Sequence, residues 1–258
     1  MVSIVTRNLP EYSRPPVIET VLGVEFEPIR ELSPFHVWQF YSTIRSGFPR
    51  QQTVPALPSN IPTGTLGASI HVELLSQPEL RYWFTSEDQT RLVQLQSNRF
   101  IFNWRKVSGT DAYPRYSSLL PEFLQLWDGF HSFLEHEGLV TPTIRSAEVT
   151  YVNHLEHGRE YQSVADLPKI LPFWQLTSGE FLPQPSNGLF NVRFPINGEQ
   201  GHLEVVLQPV LRNADIQNVL QFQLSALGFV STPDLQGATE WLDIGHEWIV
   251  RGFTELTS

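Results

Sequence analysis

Residues 92–107 read LVQLQSNRFIFNWRKV, and this stretch predicts two neighbouring β-strands. Two runs rich in β-branched and aromatic residues, 92–96 and 100–107, flank the turn-forming pair Ser97-Asn98. Two further runs of the same kind precede them, at 70–75 and 80–86, and are also separated by turn-forming residues. Four short strands joined by tight turns predict an antiparallel meander.

Two helices and one strand are predicted around the meander. Residues 17–27 predict a strand, and Ser33-Pro34 begins a helix that ends at Gly47. Residues 49–67 contain four prolines and two glycines without periodicity, which predicts an extended surface loop. After the meander, apolar residues recur at intervals of three and four and predict a long amphipathic helix: Leu119, Phe123, Leu126, Trp127, Phe130, Phe133 and Leu134.

The second half of the chain has the same order of elements. A short helix is predicted over 164–170, and a long one from Asp234 to the end. Asn197-Gly198 supplies the residues of a tight hairpin turn. The predicted strands of this half cover 143–155, 189–196, 202–211 and 219–227.

The two long helices carry a shared motif. Residues 126–134 read LWDGFHSFL and residues 241–249 read WLDIGHEWI, so both contain Asp-x-x-His followed by an aromatic residue. This predicts an internal duplication into halves 1–140 and 141–258.

Each half would be a β-α-β(3-4)-α unit, giving an α+β fold with one largely antiparallel sheet and two long helices on one face. In element order this looks like the saddle of the TATA-binding-protein-like fold, although chance matches in short segments are an alternative.

Composition narrows the function classes. The chain has 27 acidic and 17 basic residues and a net charge of −10, so a nucleic-acid partner would need a local basic patch. Cysteine is absent, which excludes disulfides and thiolate chemistry. No signal peptide or apolar run of about 18 residues is present, and we expect a cytoplasmic protein without membrane contact. Only two residues, Lys106 and Lys169, are lysines. Protein interfaces are depleted in lysine, and a genome-wide codon bias explains the scarcity equally well.

Catalytic motifs are missing. The sequence contains no phosphate-binding loop, nucleophile elbow, zinc-binding HExxH or calcium loop. The densest group of residues that could ligate a metal lacks zinc-like spacing, and a solvated loop is the favoured interpretation: His154, Glu156, His157 and Glu160. We therefore expect no metal and no cofactor.

Two sets of titratable residues are candidates for acid–base chemistry. Asp128 with His131, and Asp243 with His246, are neighbours on their helices and could act as acid–base or metal pairs. The favoured interpretation is that they flank the seam between helix and sheet. Glu19 and Glu25 fall on the same side of one strand, where exposed sheet-edge carboxylates are the ordinary interpretation.

The strand over 100–107 has two contrasting faces. Phe100, Phe102 and Trp104 point to one side, and Asn103 and Arg105 point to the other. Aromatic residues beside arginine could stack nucleic-acid bases, but an aromatic core face is favoured for this acidic chain. The outward Asn and Arg would suit an acidic peptide or a small ligand.

Several segments resemble a sporadically distributed family of uncharacterised prokaryotic proteins. They are SRPPVIE at 13–19, VQLQSNRF at 93–100 leading into NWR at 103–105, and Tyr113-Pro114. Departures are Thr20, where small residues are common, and the region after residue 155. The resemblance implies a stand-alone cytoplasmic protein that belongs to a mobile or defence-associated gene set. It does not assign an activity to the protein. Its signature residues are our candidates for binding, with the fixing of strand register as the alternative: Glu19, Gln94, Asn103, Trp104 and Arg105.

These observations favour a non-enzymatic binding or protein-interaction module that acts through its sheet or the 49–67 loop. We expect a protein partner, a second copy of the chain or a small ligand, rather than nucleic acid. The alternative is an enzyme of unrecognised type with a pocket between the halves, using Glu19, Arg105, His131 or His246. Nucleic-acid binding through the sheet face is the third hypothesis.

Overall fold

The structure is a computed structural model that describes residues 9–59, 79–163, 166–172, 181, 188–198, 200–212 and 217–257. It contains nine strands and four helices within these ranges. The strands are β1 Val17–Phe26, β2 Arg50–Pro55, β3 Leu80–Thr85, β4 Arg91–Gln96, β5 Arg99–Arg105, β6 Ile144–Glu156, β7 Phe190–Ile196, β8 Gly201–Arg212 and β9 Gln217–Phe229. The helices are α1 Pro34–Ile44, α2 Tyr116–His136, α3 Leu167–Ile170 and α4 Leu235–Thr257.

The strands form one antiparallel sheet in the order β2-β3-β4-β5-β1-β6-β9-β8-β7. The α+β class with a large antiparallel sheet is therefore confirmed. Contacts group the chain into two compact units. The meander unit comprises residues 21–148 and 229–241, and the hairpin unit comprises 1–20, 149–228 and 242–258. The division into halves at residue 140 stays a prediction.

The meander unit has an aromatic core between its strands and the helices α1 and α2. Phe100 of β5 stacks on Phe130 of α2 with ring centroids 5.4 Å apart, and Phe40 of α1 lies 5.2 Å from Phe130. Phe26 of β1 adds an edge contact with Trp127 at 5.8 Å. These rings meet because every second strand residue faces the helices, so the predicted aromatic core face of β5 is confirmed.

The hairpin unit is built around close contact of α4 with strands. Gly245 and Gly252 face the sheet: a Cβ at Gly245 would lie 3.1 Å from the Cβ of Ala226, and one at Gly252 would lie 3.0 Å from Leu203 Cδ2. The predicted β7–β8 hairpin is confirmed. β7 and β8 pair antiparallel up to Ile196 opposite Gly201, and Asn197 and Gly198 that follow β7 have φ angles of +48° and +64°, in the left-handed region that Asn and Gly adopt most readily.

The predicted surface loop over 49–67 is wrong in its first part. Residues Arg50–Pro55 form β2, which pairs with β3 from Arg50 opposite Thr85 to Pro55 opposite Leu80. Proline is tolerated there because β2 is an edge strand, where half of the backbone N–H groups need no ladder partner. Residues 60–67 and the predicted strand over 70–75 lie outside the described residues.

None of the helices in the described part of the chain combines the length and apolarity needed to span a membrane.

Candidate functional site

The side of β3–β5 that faces away from α1 and α2 carries a set of polar side chains, here called the polar face. Strand pairing places Trp83 opposite Gln94, and Gln94 opposite Ile101, whose neighbours along the same face of β5 are Asn103 and Arg99. The alternation that places Phe84 and Phe100 in the core under the helices places their neighbours on the opposite side of the sheet, and most of the β4 and β5 residues on that side are buried as well. The polar face consists of Arg81, Trp83, Gln94, Asn103 and Arg105.

A chain of hydrogen bonds crosses the polar face. Arg81 donates from Nη1 to Gln94 Oε1 over 2.8 Å, and Gln94 donates from Nε2 to Asn103 Oδ1 over 2.6 Å. Gln94 and Asn103 are 6% and 3% exposed. Because each amide has a defined partner, the chain fixes the orientation of Gln94 and of the Arg81 guanidinium.

Two guanidinium groups lie over the Trp83 ring. The Cζ of Arg81 is 5.4 Å from the ring centroid, and the Cζ of Arg105 is 6.0 Å from it. Both distances fall within the range of cation–π attraction. Burial, followed by the charge of Arg99, lowers the pKa of Arg81, although an arginine keeps its proton at neutral pH. The polar face therefore concentrates positive charge in a chain that is acidic overall.

Three N–H donors of the polar face are buried without an acceptor among the described residues. They are the Nε–H groups of Arg81 and Arg105 and the Nε1–H of Trp83. Neither arginine forms an ion pair with a described carboxylate. A buried donor without an acceptor costs about 1–3 kcal/mol, and more when it is charged. A ligand that brings several acceptor oxygens would remove this penalty.

A neighbouring ion pair fixes the segment that follows β2. Arg99 Nη2 lies 2.8 Å from Glu25 Oε2, and both side chains are 4% exposed. Ser59 donates a hydrogen bond to Glu25, and Arg99 donates to the carbonyl oxygen of Pro58 over 3.2 Å. The interpretation of Glu25 as an exposed sheet-edge carboxylate is therefore wrong: β5 presents a cation directly to it.

Segment 56–59 is held a second time by Gln96. The Leu57 N–H donates to Gln96 Oε1 over 3.0 Å, and Gln96 Nε2 donates to the Leu57 carbonyl over 3.2 Å. Gln96 thus pairs with the backbone of Leu57 as a second strand would.

The predicted binding residues are divided by this geometry. Gln94, Asn103 and Arg105 lie together on the polar face. Trp104 lies on the opposite, helix-facing side of β5, where it is 2% exposed and its ring is 5.4 Å from Tyr113. Glu19 is half-buried in β1 and belongs to the hairpin unit.

The two Asp-x-x-His motifs have different surroundings. His131 lies 3.7 Å from the carboxylate of Glu135 on an accessible side of α2, and Asp128 is exposed. His246 shares a 2.9 Å hydrogen bond between its Nδ1 and the Tyr151 hydroxyl. Burial lowers the pKa of His246 to about 4, so this imidazole is neutral at physiological pH.

The His154 region is organised by other contacts. Glu156 pairs with Arg212 at 2.6 Å, and His157 Nε2 lies 2.8 Å from the Gln162 carbonyl oxygen. Within the described ranges, no group of three or more His, Asp or Glu side chains is placed to hold a metal ion.

Arg81 and Trp83 were not among the residues singled out from the sequence. Both lie in the predicted 80–86 strand, and their spacing of two residues puts them on one face. What was missing was the register of β3 against β4, which pairs Trp83 with Gln94.

Comparisons with known proteins leave the chain without an assigned family. No family model and no curated protein matches it. Among solved structures, the crystal structure of DynU16, a protein of the dynemicin biosynthetic locus, matches at 12% sequence identity over 95% of this chain and 98% of that one. The TM-score of 0.26 is too low to carry an argument about fold or function.

Proposed function

We propose that this protein is a non-enzymatic binding module whose polar face binds an anionic group of its ligand. The observation that carries the proposal is the set of three buried N–H donors, on Arg81, Trp83 and Arg105, without an acceptor among the described residues. Two of these donors belong to cationic groups, so a carboxylate or phosphate satisfies both the hydrogen bonds and the charge.

The arrangement of the polar face supports binding through a prepared geometry. The hydrogen bonds from Arg81 through Gln94 to Asn103 restrain one guanidinium before a ligand arrives. Contact with the Trp83 ring restrains both guanidinium groups further. Side chains that are already ordered lose less conformational entropy on binding, which raises affinity.

The chemistry of the polar face favours binding over catalysis. Its side chains are two guanidiniums, an indole and two amides, and none of them exchanges a proton near neutral pH. The enzyme hypothesis draws on four residues, of which only Arg105 lies on the polar face. The other three, Glu19, His131 and His246, could exchange a proton, but none of them belongs to the polar face.

We propose an acidic segment of a protein partner as the ligand. The scarcity of lysine supports a protein interface, and the two arginines supply the bidentate geometry that carboxylates prefer. Nucleic-acid binding is the competing proposal because tryptophan rings and arginine guanidinium groups both stack on nucleic-acid bases. The net charge of −10 counts against a long phosphate backbone.

The proposal also includes the location of the protein, its gene set and the origin of its fold by duplication. A cytoplasmic location and a mobile or defence-associated gene set rest on the sequence resemblance. An internal duplication with a TATA-binding-protein-like saddle rests on the shared Asp-x-x-His motif of α2 and α4 and on the order of elements.

Fluorescence anisotropy with labelled hexaglutamate and labelled oligothymidine tests the proposal. We expect saturable binding of hexaglutamate that weakens at least tenfold, about 1.4 kcal/mol, in the Arg81→Gln and Arg105→Gln variants. Arg45→Gln is the matched control, because Arg45 is exposed at the end of α1 and the same unit of charge is removed. Equal binding by all variants, or binding of oligothymidine alone, would contradict the proposal.

A further inference from the structure

A cavity lies within the hairpin unit, between the last three turns of α4 and the strands β7 and β8. Its volume is about 370 Å³, within the range of about 300–1,000 Å³ that is usual for small-molecule sites. The cavity is lined by Phe194 of β7, Leu203 of β8, and Glu247, Trp248, Arg251, Gly252, Glu255 and Leu256 of α4.

The walls of this cavity are mostly apolar. Phe194 is 40% exposed and Trp248 is half-buried, so two large aromatic side chains keep accessible surface at the cavity. Leu203 is 2% exposed, and Gly252 lets the backbone of α4 approach it. Aromatic surface that stays accessible around a concavity is a common feature of ligand sites.

The charged groups at the cavity do not balance. Arg251 pairs with Glu247 at 2.9 Å, so their charges cancel. Glu255 is exposed and forms no ion pair with any described cation. The lining therefore carries one net negative charge, in a chain whose own net charge is −10. An occupant with a positive charge complements both the cavity and the overall field of the protein.

We infer that this cavity binds a small organic ammonium ion that carries one aromatic ring or an apolar group of similar size. The ring packs against Phe194, Leu203 and Trp248, and the ammonium group lies at the rim beside Glu255. The volume, at the lower end of the usual range, limits the occupant to a compact molecule. None of the residues that line this cavity belongs to the polar face, and the inference does not depend on the proposed anion binding.

Ligand-detected NMR with three isosteric probes tests this inference: phenethylamine, 2-phenylethanol and phenylacetate. We expect phenethylamine to bind saturably and more tightly than the alcohol, and phenylacetate to bind least. Glu255→Gln should weaken phenethylamine about three- to fivefold, the range of an exposed ion pair, and leave the alcohol unchanged. Phe194→Ala should weaken the amine and the alcohol alike.

Glu240→Gln is the matched control, because Glu240 is also an exposed glutamate on α4 but does not line the cavity. We expect it to leave all three affinities unchanged, and thermal unfolding checks that each variant is folded. Three results would overturn the inference. They are equal affinities for the three probes, a phenethylamine affinity that Glu255→Gln leaves unchanged, and no saturable binding of phenethylamine.

Discussion

Gln94 donates a 2.6 Å hydrogen bond from its Nε2 to the Oδ1 of Asn103, joining β4 to β5 beneath the two arginines of the polar face. Both side chains are almost fully buried, so neither amide can turn to water when its partner is lost. We expect Asn103→Ala to lower the free energy of unfolding by about 1–3 kcal/mol.

Gln94→Ala should be similarly destabilising, because it also removes the acceptor of Arg81. The two changes share one hydrogen bond, so the double variant should lose less than the sum of the single losses. Urea unfolding of the wild type and the three variants measures this coupling. Strictly additive losses would contradict the hydrogen bond.

The buried pair of Glu25 and Arg99 should respond strongly to the loss of one partner. Glu25→Gln leaves the Arg99 charge buried, and we expect a loss of about 3–5 kcal/mol in unfolding free energy. Replacing both residues, as Glu25→Leu with Arg99→Met, should cost much less because no charge stays buried.

The surface pair Arg50–Glu87 provides the control for this measurement. Its side chains are 50% and 75% exposed, and Glu87→Gln should change the unfolding free energy by less than about 1 kcal/mol. If Glu25→Gln and Glu87→Gln lowered the free energy of unfolding by similar amounts, the expected effect of burying Glu25 would be contradicted.

His246 should make stability depend on pH. Its pKa in the folded protein is about 4, below the ordinary value of 6.5, so the unfolded chain binds the extra proton between these two values. Stability from this group is therefore fully present above pH 6.5 and falls as the pH drops toward 4. The free energy of unfolding falls by up to roughly 3 kcal/mol, because each unit of difference between the folded and unfolded pKa of His246 is worth about 1.36 kcal/mol.

Urea unfolding at pH 7 and pH 5 tests this dependence. His246→Gln should reduce the difference in unfolding free energy between the two pH values. An unchanged difference in His246→Gln would refute the assignment.

Two helical glycines should respond in opposite directions to alanine. Gly129 on α2 has open space where a Cβ would be, so Gly129→Ala should stabilise the protein by about 0.5–1 kcal/mol. A Cβ at Gly237 on α4 would clash with the backbone oxygen of Thr232, so Gly237→Ala should be destabilising. Thermal unfolding of both variants gives the comparison, and a stabilising Gly237→Ala would contradict the close approach.

Periodicity was sufficient to predict most of the fold. The interval of three and four residues located α2, and Asn197-Gly198 located the β7–β8 turn. Prolines misled over residues 50–55, because an edge strand tolerates the proline that a central strand would exclude. The local sequence does not indicate whether a segment flanked by prolines will pair with another strand, because that pairing depends on residues distant in the chain.

The polar face could be predicted only in part. Alternation within β5 predicts Asn103 and Arg105 on one side and Trp104 on the other, as the structure has them. Only the family resemblance groups Trp104 with them as a binding candidate. Arg81, Trp83 and the Glu25–Arg99 pair became visible only with strand register and strand order. These depend on contacts between residues distant in the chain, which no short motif encodes.

The proposed function places the Trp83 indole within an anion-binding site. Titration of ¹⁵N-labelled protein with hexaglutamate tests this placement through the indole N–H signals of the seven tryptophans. The Trp83 signal is identified by its absence from the Trp83→Phe spectrum. We expect this signal to shift saturably in the wild type and in Arg45→Gln, and to stay fixed when Arg81 and Arg105 are both replaced by glutamine. A Trp83 signal that does not move, or that moves equally without the two arginines, would contradict the claim.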